Sequence, residues 1–373
     1  LGQLVFASGR ALGSGSGAFV IAEAGVNHNG DLGLARALVD AAVEAGADAV
    51  KFQTFRTKEL VAAAAPKAAY QRREAPDESQ QAMLERLELG RTQHEALRAY
   101  ARERGIEFLS SPFDPLSVDL LVELGVPALK LGSGELTNLP LLRHAARSGL
   151  PILLSTGMAF LAEVDVAART ILEVQAPDAQ DLALLHCVSR YPAPLGHANV
   201  QAMVTLRRAI GGPVRFGYSD HTPGVAAPAA AAALGARVIE KHLTLDRTLP
   251  GPDHAASLDP AGFAEMVRLV RDVEAALGDG VKAPQPGEDE MRSVARRSLH
   301  LRRAVDAGAP LTAADIAILR PAEGLPPARF HDVLGLRAAR PLAQGAPLRL
   351  GDLVSHEAPI EAPTNAREPQ EDA

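Results

Sequence analysis

The sequence predicts a (β/α)8 TIM barrel followed by a small β-rich domain. Three observations predict it. Short runs rich in Val, Ile and Leu alternate with Ala-rich stretches of helical period. Eight such pairs succeed one another within about 260 residues. Beyond them the composition changes and a short motif repeats. Strict strand–helix alternation requires a parallel sheet, because every crossover must return the chain in the same direction. Eight units in that span fit a closed barrel better than an open doubly wound sheet.

The strands are expected at 19–23, 49–53, 107–110, 128–131, 151–155, 182–186, 214–219 and 238–242. The helices are expected at 32–45, 93–104, 115–124, 139–148, 162–174, 199–210, 225–234 and 260–277. Several run into a glycine, as helix C-termini commonly do: Gly46, Gly105, Gly125, Gly149 and Gly235. The long insertion between the second strand and its helix, residues 56–91, should sit on the catalytic rim. The glycine-rich string from Gly13 to Gly17 reads as a flexible turn, since no Lys-Ser or Lys-Thr pair follows to make a phosphate loop. Residues 1–18 are an N-terminal extension, 19–280 the barrel, and 281–290, with two prolines among polar residues, a linker. In 291–355, Gly308-Ala309-Pro310-Leu311 with Asp315 recurs as Gly345-Ala346-Pro347-Leu348 with Asp352, implying a pseudo-symmetric unit. The Pro/Glu-rich tail 356–373 is expected to be disordered.

Composition narrows the function class. Of 373 residues 47% are hydrophobic, enough for full cores and against global disorder. A net charge of −7 argues against nucleic acid or an anionic membrane surface as the main partner. A single cysteine makes neither an internal disulfide nor a zinc–thiolate cluster. No run of about 20 apolar residues appears, nor the charged-then-apolar order of a signal peptide, so a cytoplasmic enzyme is expected.

Barrel enzymes draw their reactive groups from the C-terminal ends of the strands. Here those ends carry Glu23; Lys51 and Gln53; Ser110 and Ser111; Lys130, Ser133 and Glu135; Ser155 and Thr156. The later strands add His186, Ser189 and Tyr191; Ser219, Asp220 and His221; Glu240, Lys241 and His242. Burying so many polar groups at random is too costly, so together they mark a site. Lys51 and Lys130 sit inside apolar runs, with serine hydroxyls between them, and suit a small, highly charged anion such as a phosphorylated acid. His221 and His242 end adjacent strands, which lie about 4.8 Å apart. The two imidazoles there either share one divalent ion or hydrogen-bond within the rim. His186 reads as a satisfied core histidine and Cys187 as core packing.

These residues together carry a resemblance. "FVIAEAGVNHNG", "ADAVKFQTF", "SSPFD", "ALKLGSGE", "LLSTGM", "LLHCVSRYP", "YSDHT", "EKHLT" and "PGPDH" resemble the successive signatures of the sialic acid synthase family, which includes N-acetylneuraminate, legionaminate and pseudaminate synthases. The similarity runs from about Phe19 to Arg349, and its last part resembles the antifreeze-like (SAF) domain of those enzymes. The resemblance implies condensation of phosphoenolpyruvate, an open-chain 2-acetamido sugar aldehyde and water into a nine-carbon 3-deoxy-2-keto acid and phosphate. It assigns Lys51, Ser111, Lys130, Ser133, Ser189 and Ser219 to phosphoenolpyruvate, although Ser189 stands where certain members carry an asparagine. It assigns His221 and His242 to a divalent metal, Mn²⁺ or Mg²⁺, and Gln53, Tyr191 and Asp253 to the sugar. Glu23 and Glu135 match carboxylates at the reacting centre; the neighbouring phosphate-binding serine favours Glu135 as the group that moves the proton. Arg320, in "LRPAEG", matches an arginine that reaches the sugar in the partner subunit's site, so a domain-exchanged homodimer is implied. The segment 72–79, expected at the sugar's distal end, departs from the family pattern and leaves the acceptor open between N-acetylmannosamine and a 6-deoxy-2,4-diacetamido hexose.

Two rival readings remain at this stage. A 3-deoxy-octulosonate-phosphate type of synthase would need basic groups for a second phosphate and no antifreeze-like domain, which the repeat at Gly308 and Gly345 argues against. A non-catalytic carbohydrate- or ice-binding protein would prefer a flat uncharged face, whereas Arg320, Arg329 and Arg337 crowd the terminal domain.

Overall fold

The computed structural model describes residues 17–355 apart from 63, 69–70, 72–77 and 177–180, together with 4–5 and 11–12. Most of the glycine-rich string, most of the departing segment 72–79 and the tail 356–373 lie outside the described residues. The chain divides into two units, Leu1–Asp279 and Gly280–Ala373.

In the first unit eight parallel strands form one sheet: β1 (Phe19–Gly25), β2 (Ala49–Thr54), β3 (Glu107–Pro112), β4 (Leu129–Leu131), β5 (Ile152–Ser155), β6 (Leu182–Cys187), β7 (Arg215–Asp220) and β8 (Val238–His242). Their order is β3-β2-β1-β8-β7-β6-β5-β4. The two end strands, β3 and β4, lie side by side, so the sheet curls into the expected barrel. Every strand begins within one residue of its expected start.

The helices begin and end where side chains satisfy the backbone. Pro115–Leu124 is typical: the Asp114 carboxylate accepts from the Ser117 backbone N–H at 2.9 Å, and a proline occupies the first helical turn. Gly125 then closes the helix at φ 67°, in the left-handed region. Asp259 caps the last barrel helix, Pro260–Leu277, in the same way. The rim insertion, to which the sequence reading gave no elements, contains two short helices, Thr57–Leu60 and Gln80–Leu87.

Strand alternation divides the barrel's apolar residues into two sets. Val20, Ala22, Val50, Phe52, Leu129, Leu131, Ile152, Leu154 and Phe216 face the helices. Phe19, Ile21, Ala49, Leu109, Ala128, Leu153, Ala183, Leu185 and Val238 face inward and fill the lower barrel as a buried plug. Burying each of its larger side chains contributes about 1.5–3 kcal/mol. The plug's function is positional, because it fixes the height at which the next inward residue of each strand stands.

In the second unit a helix, Glu288–Ala295, begins inside the stretch expected as a linker. Two antiparallel pairs follow: Ser298–Leu301 with Ile316–Leu319, and Arg337–Ala338 with Leu353–Val354. Leu299, Leu301, Val305, Leu311, Val333, Leu342 and Leu348 form its core. The sequence repeat is a structural repeat. Asp315 accepts from the Thr312 N–H at 2.8 Å and binds Arg303; Asp352 accepts from the Arg349 N–H at 2.9 Å and binds Arg340. No described helix is long and apolar enough to cross a membrane.

Candidate active site

One step above the plug, the inward position of every strand changes from apolar to polar. Glu23, Lys51, Ser111, Lys130, Ser155, Cys187, Ser219 and Glu240, one from each strand, make a buried floor. All eight line a cavity of about 680 Å³ that extends from the barrel to the insertion helices.

The floor is a compact charge cluster. Lys51 Nζ stands 2.6 Å from Glu23 Oε2 and 3.9 Å from Glu240 Oε2, and donates to Ser111 Oγ at 2.8 Å. Lys130 Nζ is 3.5 Å from Glu240 Oε1, which also accepts from Ser219 Oγ at 3.0 Å. Burial pushes the Glu23 carboxyl up, and Glu240 adds to the push while Lys51 opposes it. Burial acts on Glu240 in the same direction, but Lys130 and Lys51 outweigh it and hold that carboxyl low. Burial lowers Lys130; at Lys51 it is overcome by the two glutamates, which keep the ammonium charged. Two cations facing two anions leave the floor near neutrality, so an incoming anion competes with carboxylates for the same ammonium groups.

Gly157 brings three loops together at one edge of this floor. Its N–H donates to Ser133 Oγ at 2.9 Å, and a Cβ there would stand 2.2 Å from Ser189 Oγ and 2.8 Å from Ser133 Oγ. A side chain at 157 would drive the two hydroxyls apart. Without one, Ser133 and Ser189 converge on the cavity wall.

Opposite the lysines, the His221 and His242 rings lie 5.4 Å apart, centre to centre, tilted by 55°. Tyr191 stacks 4.1 Å from His221 and meets His242 edge-on at 5.8 Å. His221 Nδ1 is 2.7 Å from the Val188 carbonyl and must donate to it, so Nε2 is the nitrogen that accepts whenever this ring is neutral. His242 Nδ1 is buried without a hydrogen-bond partner, 3.8 Å from Asp253 Oδ2. Burial, then the His221 charge, holds His242 far below its ordinary value, so its ring is neutral, the form that ligates metals. Burial raises the Asp253 carboxyl to about 6, with Glu23 contributing. Among the described residues no three His, Cys, Asp or Glu side chains gather into a metal cage. The donor set instead fits an ion held by two imidazoles, with its other positions left to water or substrate: two facing rings, one with an orphaned buried nitrogen.

The far end of the cavity is apolar. Val26, Phe55, Leu60, Met83, Leu87 and Phe113, several from the insertion helices, pack into one cluster that lines it.

Gln53, Ser133, Ser189, Tyr191 and Asp253 all line the same cavity as the floor and the imidazoles. Gln53 Nε2 donates to Glu23 Oε1 at 3.2 Å. Glu135 is not among the lining residues: it ends the turn Ser133–Glu135, and its Oε2 accepts from Asn138 Nδ2 at 2.8 Å. Of the two expected carboxylates, Glu23 lines the cavity, while the Glu135 side chain is engaged by the helix cap beyond it. Arg320 belongs to the second unit, exposed just after Ile316–Leu319. His186 faces outward and meets the Ala198 carbonyl at 2.9 Å, as a core histidine should. Asp220 and Lys241 also face outward and bind each other. Two residues gained importance over the sequence reading. Glu240 received no role there, although it alternates inward with Val238 and His242. Cys187, read as core packing, has its sulfur in the cavity wall, 3.7 Å from His221 Nδ1.

Both units of the chain are similar to known proteins. Residues 38–282 match the NeuB family and residues 296–354 the SAF domain. The chain is 48% identical to the N,N'-diacetyllegionaminic acid synthase of Legionella pneumophila, over 90% of this chain and 94% of that protein. It is 44% identical to the N,N'-diacetyllegionaminic acid synthase of Campylobacter jejuni, over 86% and 96%. The crystal structure of the spore coat polysaccharide biosynthesis protein SpsE from Bacillus subtilis superposes with a TM-score of 0.64 at 35% identity, covering 95% of this chain and all of that one. The chain belongs to the NeuB family.

Proposed function

We propose that this NeuB-family chain is a synthase that joins phosphoenolpyruvate, the open-chain aldehyde of a 2-acetamido sugar, and water into a nine-carbon 3-deoxy-2-keto acid, releasing phosphate. One observation carries the reading: a single cavity sets two buried lysines and a ring of hydroxyls beside two facing imidazoles. Lys51, Lys130, Ser111 and Ser219 would hold phosphoenolpyruvate on the floor, with Ser133 and Ser189 at the Gly157 edge taking phosphate oxygens. His221 and His242 would hold Mn²⁺ or Mg²⁺, which when bound supplies Lewis-acid polarisation of the aldehyde oxygen. Carbon 3 of phosphoenolpyruvate attacks the aldehyde carbon, and water adds to carbon 2. The bond from carbon 2 to the bridging oxygen then breaks. One proton of the water ends on the new hydroxyl and the other on phosphate. Glu23, buried, raised and bonded to Gln53, would be the carboxyl that carries such a proton. Holding the reactants at attack distance contributes several kcal/mol.

Gln53, Tyr191 and Asp253 would orient the sugar, with its distal end against the apolar cluster of Val26, Phe55, Leu60, Met83 and Leu87. That wall favours an acceptor rich in methyl groups, a 6-deoxy-2,4-diacetamido hexose over N-acetylmannosamine; the names of the Legionella and Campylobacter relatives, with their diacetylated product, point the same way. By the family resemblance, the working form is a homodimer in which the partner subunit's Arg320 reaches the sugar. Family membership and the SAF domain set aside both the octulosonate-phosphate and the ice-binding readings.

The test is phosphate release with phosphoenolpyruvate, Mn²⁺ and a panel of acetamido sugars. The diacetamido 6-deoxy sugar is expected to give the highest kcat/KM. Preference for N-acetylmannosamine would reverse the acceptor, and no release with any sugar would overturn the function. Oxygen-18 in the bridging position of phosphoenolpyruvate should leave in phosphate; label kept in the keto acid would rule out C–O cleavage.

A further inference from the structure

Directly behind the two imidazoles, on the outer face of the same two strands, lies a second buried ionic group with no opening to the cavity. Asp220 and Lys241 are register partners across β7 and β8, and each is 1% exposed. Lys241 Nζ donates to Asp220 Oδ2 and to the Thr222 carbonyl. Asp220 Oδ1 accepts from Tyr218 OH at 3.0 Å and from the Thr222 N–H at 2.9 Å; Oδ2 accepts from Thr222 Oγ1 at 3.1 Å. Apart from Tyr218, every anchor of this network is adjacent to His221 or to His242.

Elsewhere on this outer layer the strands bury Phe52, Leu131, Leu154 and Ile239, and the wall is sound without charge. A buried ion pair is a poor way to gain stability, because desolvation offsets most of the attraction and an apolar pair of equal volume does as well. Its asset is geometry. It accepts one arrangement of partners where apolar side chains accept many. His221 stands one residue past the end of β7, where the strand ladder has ended and its carbonyl accepts from the Ala193 N–H, at 2.8 Å. The ties from Asp220 to both the N–H and the hydroxyl of Thr222 clamp the backbone on either side of it. Because neighbours on a strand point to opposite faces, pinning Lys241 outward also pins His242 inward.

We infer that Asp220 and Lys241 are positioning residues, which hold the His221 and His242 rings facing each other from behind the sheet. The inference rests on the reading that the two rings act as a pair. The test is the double variant Asp220→Asn/Lys241→Met, which removes both charges at similar volume and strands neither. It is expected to fold with a near-native circular dichroism spectrum. Mn²⁺ affinity, measured by calorimetric titration without substrates, should fall about 10- to 100-fold. In metal-free protein, the ring ¹⁵N signals of His221 and His242 should move while those of His94 and His300 stay. Unmoved His221 and His242 signals would overturn the inference. If the native protein itself takes up no Mn²⁺, the metal reading fails, and the ring signals alone decide the positioning role. Should the double variant not fold, Lys241→Arg keeps the charge, displaces the donor and must show the same ring shifts; unchanged rings there would overturn it equally.

Discussion

The top of the barrel holds two groups of buried lysines and carboxylates on opposite faces of one sheet, and they are built to different standards. Inside, Lys51, Lys130, Glu23 and Glu240 are loosely matched: their contacts range from 2.6 to 3.9 Å. Ser155 Oγ, Glu240 Oε2 and His242 Nδ1 have no hydrogen-bond partner there. Outside, both Asp220 oxygens accept two donors each, and Lys241 has two acceptors. Buried polar atoms left without partners are costly and rare. Their concentration on the inner face marks where a ligand completes the structure, and the closed outer group marks where the protein completes itself.

The sharpest way to break that comparison is to remove one lysine from each group. Lys51→Met should lower kcat/KM for phosphate release by about 10³-fold or more, since the floor loses the cation that the departing phosphate needs. A loss under tenfold would put the anion site elsewhere. Lys241→Met alone strands the Asp220 carboxylate in the outer layer and should cost about 3–5 kcal/mol in urea unfolding. An unchanged midpoint would show that this pair is not closed as described.

Asp253 tests the inner face by pH. Its carboxyl holds a proton more tightly in the fold, with a pKa of about 6, than the ordinary 3.8 of an unfolded chain. Such a group stabilises the fold relative to the unfolded chain at low pH, and that contribution is lost as pH rises through 6. Metal-free Asp253→Asn should therefore match the native protein below about pH 4 and exceed it by roughly 2–3 kcal/mol above pH 7 in urea unfolding. A gap independent of pH would refute the assignment. The smallest effect belongs to Glu135→Gln, which keeps a partner for Asn138 and should leave kcat within about twofold, whereas Glu23→Gln should cost about 10²-fold. Equal losses would return Glu135 to the chemistry.

Much of this was legible in the residues alone. Strand positions followed from apolar runs set between capped, glycine-ended helices, which are local signals. The site followed from polar residues interrupting those runs, as at Lys51 within Val50-Lys51-Phe52. What sequence reading blurred was parity. Asp220 and His221, or Lys241 and His242, look alike as strand-end residues, yet one of each pair serves the cavity and the other its support. Counting inward from Val238 would have separated them and singled out Glu240. Cys187 was misjudged for the same reason, because its neighbour His186 takes the outward place. The helices Thr57–Leu60 and Gln80–Leu87 escaped notice because neither is long enough to show a clear period, and packing on the rim, through Leu60, Met83 and Leu87, decides them.

The plug of Phe19, Ile21, Leu109, Leu153, Leu185 and Val238 closes the barrel from beneath. Among the described residues, that leaves the cavity to be reached from the rim side. For a cavity loaded from the rim, the small enol phosphate is expected to be seated before the bulkier aldehyde, which would otherwise stand in its path. Product-inhibition patterns should show that compulsory sequence, and random entry would mean a second door.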